Sequence, residues 1–250
     1  MLSAGELHIW QGAASSHTTY ADWALLSQPE HARWRRLPPV AAAYYAGSRA
    51  AARRILGRYL STAPVKLRLD RASCPACGRA SAGRPVVHSE GDPLWFSLSR
   101  SGPHWLLALS RHLLGVDIEC RRPVDIEALE PLALTEQERR TLDDRDKADR
   151  LDLFFRCWTR KEAVFKAAGA GRFADLTNVD VRPELAGEVV VECDGRTGTK
   201  EWKVRSLNVG SGQYAAVASP AGIGAVVLHR DWPSSCVPAD LTKINTWRTP

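Results

Sequence analysis

The chain has 250 residues, of which 44% are apolar and 25% charged, with nine Trp, and this excludes a disordered, collagen-like or low-complexity protein. Its length suits one large domain or two of roughly 100–150 residues. The net charge is +6, and only seven of the 34 Lys and Arg are Lys. Such a balance is compatible with a nucleic acid, a phosphorylated small molecule or an acidic protein as partner.

In chain order, alternation around Leu7 and Ile9 predicts a short strand. Leu25 to Leu37 predicts a helix carrying Arg33, Arg35 and Arg36 and stopped by Pro38-Pro39. Ala41 to Leu60 predicts a long Ala-rich helix with Arg49, Arg53, Arg54 and Arg58. Val65, Leu67 and Leu69 alternate as a strand, and a loop with Cys74-Pro75-Ala76-Cys77-Gly78 follows. Leu94–Ser99, Trp105–Ser110 and Leu113–Glu119 read as three strands with short turns. From Asp125 to Ala168 the period is helical, with Leu151, Phe154, Phe155, Trp158 and Phe165 on one apolar stripe. Strand patterns return at Val189–Glu192, Trp202–Leu207, Tyr214–Ser219 and Ala225–Leu228, and 231–250 reads as an irregular tail. The Ser101-Gly102 turn, with its aromatic and small-residue strand, is echoed 110 positions later at Ser211-Gly212. The echo is either two similar strands by chance or two related α/β halves meeting near residue 112. No basic residue other than His precedes Arg33, and no apolar run approaches the roughly 20 residues of a membrane helix. A cytoplasmic protein without signal peptide or membrane span is therefore expected.

Gly115-Val116-Asp117-Ile118-Glu119 ends an apolar strand. Side chains at i and i+2 share a face, so Asp117 and Glu119 point together while Val116 and Ile118 point away. Neighbouring carboxylates repel unless a cation joins them, and Mg²⁺ takes one or two carboxylates together with substrate phosphates. Alone, the pair also fits a strand end turning polar as it reaches water. A second Val-Asp-Ile-Glu, at 124–127, opens a helix, where Asp125 serves as a cap. In Trp158-Thr159-Arg160-Lys161-Glu162-Ala163-Val164-Phe165-Lys166, a helix places Trp158, Glu162 and Lys166 on one face beside the apolar stripe. A carboxylate and an ammonium there need an ion pair, a metal or a ligand, unless they form a plain surface pair.

A strand ending Gly-Val-Asp-Ile-Glu, followed about 40 residues later by Trp-Thr-x-Lys-Glu-Ala-x-x-Lys, resembles the signature of the surfactin-type 4′-phosphopantetheinyl transferases. Gly83-Arg84-Pro85 resembles that family's Gly-Lys-Pro. Phe96-Ser97-Leu98-Ser99-Arg100-Ser101-Gly102 resembles its Phe-Asn-x-Ser-His-Ser-Gly, and Arg53-Arg54-Ile55-Leu56-Gly57 the helix that brings an Arg to coenzyme A. The likeness runs from about residue 30 to 220. It departs at Arg84 and Arg100, which replace Lys and His and keep or gain positive charge.

The resemblance implies an α/β (α+β) fold of two similar halves related by a pseudo-twofold axis, with the active site between them. Residues 1–112 would carry the basic groups for coenzyme A, residues 113–230 the metal site and carrier-protein surface, and 231–250 a tail. It also implies that a Ser hydroxyl of an apo acyl- or peptidyl-carrier protein attacks the β-phosphorus of coenzyme A. The phosphopantetheine arm is transferred and 3′,5′-ADP leaves. Asp117, Glu119 and Glu162 would hold Mg²⁺, and Glu162 or a water on the metal would take the Ser proton. Lys166 would neutralise or protonate the leaving phosphate, so that Glu162, Lys166 and Asp117 form the catalytic set. Coenzyme A would meet Arg33, Arg36, Arg53, Arg84, Ser99, Arg100 and Lys161, with Arg100, Arg53 and one of Arg33 or Arg36 around its 3′-phosphate. Glu138 matches a Glu that the family often keeps near the metal, or is a solvated helical charge. Leu129, Leu132 and Leu134, flanked by Arg121, Arg122, Arg139 and Arg140, would face an acidic carrier protein. The expected molecule is a monomer with no nucleic-acid or membrane partner.

Two other readings belong to different classes. A zinc-containing nucleic-acid-binding module would use Cys74, Cys77, His88 and the Arg-rich helices. Structural zinc takes four ligands, usually as two close pairs, and no second pair follows here. The six Cys are expected as reduced thiols. A homologue that only binds coenzyme A or carrier proteins is the other, and the presence of all three carboxylates argues against it.

Overall fold

Strand β1 (Glu6–Ala13) buries Leu7 and Ile9 on one face. The computed structural model describes residues 2–3, 5–74, 78–79, 83–88, 93–170, 175–195 and 198–229. A short helix, α1 (Tyr20–Trp23), precedes the basic stretch, and the helix expected from Leu25 to Leu37 is present as the shorter α2 (Gln28–Trp34). Its start is set chemically. Glu30 reaches back to accept the backbone amide of Ser27 at 2.8 Å, which starts a new helix. Helix α3 (Pro39–Tyr59) is continuous. The strand expected at 65–69 gives way to a single 3-10 turn, Pro64–Lys66, where Pro64 fixes φ. Only β2 (Leu69–Arg71) remains, paired with β3 (Pro85–Val87).

β4 (Trp95–Ser101), β5 (His104–Ser110) and β6 (Gly115–Cys120) are the three strands read from alternation. The helical period beyond them is cut into α4 (Ile126–Ala133), α5 (Glu136–Asp143) and α6 (Lys147–Ala168). Asp125, Thr135 and Asp146 each accept a backbone amide at the start of one of these helices, so Asp125 is the cap its position suggested. β7 (Val189–Gly195), β8 (Gly198–Leu207), β9 (Gln213–Ser219) and β10 (Ala225–His229) complete the described chain.

The strands build two four-stranded sheets, ordered β10-β1-β5-β4 and β6-β9-β8-β7, beside the β2–β3 pair. β10 falls in the stretch that the sequence places in the second half, yet it pairs in parallel with β1 in the first sheet. Leu7, Ile9, Leu106 and Ala108 of the first sheet pack against Val116, Ile118, Ala215 and Val217 of the second. On the outer faces, Ala51, Ala52, Ile55 and Leu56 of α3 cover the first sheet, and Phe154, Cys157 and Val164 of α6 cover the second. The fold is therefore a mixed α+β one, with a helix on each outer face of two stacked sheets. No helix among the described residues is long and apolar enough to cross a membrane.

Gly115 sets how closely β6 approaches α6, because a Cβ there would collide with the carbonyl oxygen of Ala163. That close approach lays Asp117 and Glu119 against the helix face that carries Glu162 and Lys166.

Candidate active site

The odd positions of β6 turn toward α6. Asp117 is 4% exposed, and Lys166 Nζ donates to its Oδ1 at 2.5 Å. Ser99 Oγ donates to the same oxygen at 2.7 Å, while Oδ2 is buried without a hydrogen-bond partner. Glu119 accepts from Ser101 Oγ at 2.8 Å and from Arg122 Nη1 at 2.7 Å. Along α6, Trp158, Glu162 and Lys166 are half-buried while their neighbours 157, 159–161, 163–165 and 167 are buried. The row sits at the border between core and solvent, as the i, i+4, i+8 spacing requires.

Burial pushes the Asp117 carboxyl above its usual range, and the pull of Lys166 and Ser99 does not cancel it. Glu162 is raised as well, by burial and by the nearby charges of Asp117 and Glu119, against Lys166. Three mutually repelling carboxylates, one with an orphaned buried oxygen, suit a further cation. Hard divalent ions take such oxygen donors, so the chemistry of the set fits one. Among the described residues no three such side chains already converge as a finished metal site, and two of the carboxylates are engaged by Lys166 and Arg122.

Arg100 lies on β4 between Ser99 and Ser101 and therefore points to the other face of that strand. Its Cζ is 5.3 Å from the centre of the Tyr45 ring on α3, and that of Arg33 is 5.5 Å from it. Burial lowers Arg100 below the usual guanidinium value, and Arg33 and Arg49 push it further down. Arg71 is lowered by burial and by the same two neighbours. Glu30 is the carboxylate in contact here, with Arg49 at 2.6 Å. A cluster of Arg33, Arg49, Arg71 and Arg100 has surplus positive charge in the forked geometry that phosphate takes. Arg49 and Arg71 were not singled out from sequence. Arg49 stands one turn before Arg53, a spacing that could have found it, whereas Arg71 is brought in by tertiary packing alone.

Residues 113–218 match the family model of the 4′-phosphopantetheinyl transferase superfamily. The Synechocystis sp. protein slr0495, whose name places it in that enzyme class, is 30% identical over 187 residues, covering 73% of this chain and 72% of that one. This chain belongs to the 4′-phosphopantetheinyl transferase superfamily. HetI of Nostoc sp., a 4′-phosphopantetheinyl transferase, is 29% identical over 187 residues, covering 72% of this chain and 75% of its own. With Sfp of Bacillus subtilis the match is 29% over 110 residues, 44% of this chain and 48%, about half, of that relative.

Several residues expected at the site of this transferase lie elsewhere. Arg53 is 2% exposed; its Nε and Nη2 donate to Glu30 Oε2 at 3.1 and 2.8 Å, and its Nη1 to the carbonyls of Pro64 and Leu67. Those bonds tie α2 and α3 to the turn that follows, which leaves Arg53 out of the coenzyme A set. Lys161 is buried, with Nζ 2.5 Å from Glu138 Oε2 and donating to the Leu176 carbonyl at 2.7 Å. Glu138 also accepts the Val181 and Thr135 amides, so it is neither solvated nor open to a metal. Both Lys161 and Glu138 form a clasp between α5 and α6 inside the core.

Arg84 donates from Nη2 to the Ala168 carbonyl at 2.9 Å and caps the C-terminus of α6. It packs against Gly169, whose φ of 72° ends the helix. Ser99 spends its only proton on Asp117, which makes it a partner of the carboxylate before it is a donor to phosphate. Arg33 stacks on Tyr45, while Arg36 is exposed. Of the expected carrier-protein face, Leu134 is buried, Leu129 packs on the core and only Leu132 stands out, 69% exposed. Arg139 and Arg140 both engage Glu136. Cys77 lies outside the described residues; the Cys74 thiol is buried against the Ala170 carbonyl, and His88 pairs with Asp70.

Proposed function

We propose that this enzyme is of the surfactin type and moves the 4′-phosphopantetheine arm of coenzyme A to a Ser hydroxyl of an apo acyl- or peptidyl-carrier protein. The observation that carries the reading is the meeting of Asp117 and Glu119 from β6 with Glu162 and Lys166 from α6, around a buried carboxylate oxygen that lacks a partner. Arg33, Arg49, Arg71 and Arg100 bind the 3′-phosphate. Lys166, 31% exposed on a flexible stem, exchanges Asp117 for the diphosphate. The attacking Ser oxygen bonds to the β-phosphorus, the bond from that phosphorus to the bridging oxygen breaks, and Lys166 offsets the charge left on 3′,5′-ADP. Glu162, half-buried beside Lys166 on α6, takes the Ser proton. Asp117, Glu119 and Glu162 would hold Mg²⁺, which when bound neutralises diphosphate charge as a Lewis acid.

The same reading makes 1–112 and 113–230 two halves related by a pseudo-twofold axis. Strand order β1-β5-β4 repeats as β6-β9-β8, each backed by one long helix, which supports it. β10, which joins the first sheet, and β7, which has no counterpart beside β4, depart from the repeat. The enzyme would act as a cytoplasmic monomer, with neither nucleic acid nor membrane as partner. The test is mass spectrometry of a panel of apo carrier proteins incubated with this protein, coenzyme A and Mg²⁺. One phosphopantetheine of added mass on at least one of them is expected, and no gain on any, from a chain that binds coenzyme A, would overturn the proposal.

A further inference from the structure

β4 and β6 are the end strands of their two sheets, and they meet edge to edge through side chains. The amides of Val116, Ile118 and Cys120, which point away from β9, donate to the hydroxyls of Ser97, Ser99 and Ser101 at 3.2, 3.4 and 3.0 Å. The register is regular, one serine to every second amide. Each hydroxyl has a single proton to give in return. Ser99 gives it to Asp117 and Ser101 gives it to Glu119, at 2.7 and 2.8 Å. At the third rung the position corresponding to those carboxylates is Gly115, which has no side chain to receive one.

We propose that Ser99 and Ser101 are positioning residues that hold the Asp117 and Glu119 carboxylates for a divalent cation, and that Ser97 is the same rung without that task. The inference rests on the reading of those carboxylates as metal ligands given above. Its physical basis is that Lys166 and Arg122, the other partners of these carboxylates, sit on long flexible stems and fix a carboxylate's orientation poorly. A fixed donor on the neighbouring strand removes that freedom before the cation arrives. All three serines also satisfy a β6 amide, and Ser99 in addition accepts from Lys166 Nζ at 3.1 Å, so Ser101 is the closer structural match to Ser97 and a purely structural role would make those two substitutions alike.

Ser97 thus supplies an internal control. The experiment titrates Mn²⁺ into the full chain with saturating coenzyme A, following free Mn²⁺ by its paramagnetic resonance, with melting temperatures measured alongside. Ser99→Ala and Ser101→Ala are expected to weaken Mn²⁺ binding about tenfold or more, as loss of a partner to a metal ligand does. Ser97→Ala should stay within about twofold of the parent while losing comparable thermal stability, and Ser101→Thr, which keeps the hydroxyl, should restore binding. If Ser101→Ala does not fold, Ser101→Cys keeps the size, weakens the donor and serves the same comparison. Equal Mn²⁺ affinity in the Ser97 and Ser101 variants overturns the proposal. Asp117→Ala separates the two levels. Should it abolish Mn²⁺ binding while Ser101→Ala leaves it intact, the positioning role fails and the metal reading stands; should it bind Mn²⁺ like the parent, both fail.

Discussion

Glu30 in the first half and Glu162 in the second are both carboxylates withdrawn from bulk water, yet they end on opposite sides of the usual range. Burial alone would raise Glu30, but Arg49, the Ser27 amide and Arg53 more than reverse it. Burial raises Glu162 too, Asp117 and Glu119 add to the rise, and only Lys166 opposes it. The two lysines of α6 differ in the same way. Lys161 is sealed against Glu138, whereas Lys166 remains partly open to solvent. A charge whose partners are complete holds the fold together. One whose partners are incomplete is kept for a ligand, at some expense of stability.

The largest effect should come from the incomplete set. Asp117→Ala or Glu162→Ala is expected to lower carrier-protein modification by about 10³-fold, the scale of losing a charge-stabilising group, with little change in melting temperature. Near-parental turnover at saturating Mg²⁺ would erase the contrast. The complete set should behave the other way. Lys161→Met or Glu30→Ala breaks a buried pair and should cost about 3–5 kcal/mol in urea unfolding. A Lys161→Met protein of normal stability but low kcat would move that lysine from the core to the chemistry.

The arginine cluster offers a finer test. Arg100→Ala should raise the KM for coenzyme A about tenfold, in line with a charge-assisted hydrogen bond of about 1.5–3 kcal/mol, and leave that for dephospho-coenzyme A nearly unchanged. Since guanidinium stays charged, coenzyme A affinity between pH 6 and 8 should lack a His titration step from this position. Equal effects on both donors would remove Arg100 from the 3′-phosphate.

The smallest effect is on stability against pH. A raised pKa means the folded chain holds the Glu162 proton more tightly than the unfolded chain does, so ionising it costs stability as pH rises. Glu162→Gln should therefore raise the melting temperature of the metal-free protein at pH 7 by a few degrees, about 1 kcal/mol being worth about 2–4 °C in a chain this size. That gain should fade below about pH 4.3, the unfolded value. Glu30 has the opposite sign, and its contribution is present above that value and lost as pH falls through its lower folded one. Glu30→Gln should be destabilising at neutral pH and nearly silent in acid. Parallel pH profiles for the two variants would contradict the comparison.

Asp117, Glu119, Glu162 and Lys166 were legible in the sequence because each pair obeys a local period, two residues on a strand and four on a helix. Burial is not local, and no such period marks it. Arg53 and Lys161 stand within charged motifs just as Arg49 and Lys166 do, and only tertiary packing shows which charge is spent inside the core. The same holds for Glu30, whose turn back to Ser27 starts α2 three residues later than the apolar pattern suggests. β10 carries an ordinary apolar pattern, and nothing in it names β1 as its partner. The serine rungs belong to a recognisable motif, but their meaning depends on a second strand whose register no single segment reveals.

β1 is made early and its two neighbours are made late. It pairs with β5 at 104–110 and with β10 at 225–229. During synthesis its second edge therefore stays bare until residue 229 has left the ribosome, after most of the chain has emerged. An open strand edge invites pairing with other chains, and contacts this distant in sequence form slowly. A nascent or truncated chain ending before 225 would expose that edge without cover, so the yield of soluble protein should depend more sharply on these last five strand residues than on any surface loop of equal length.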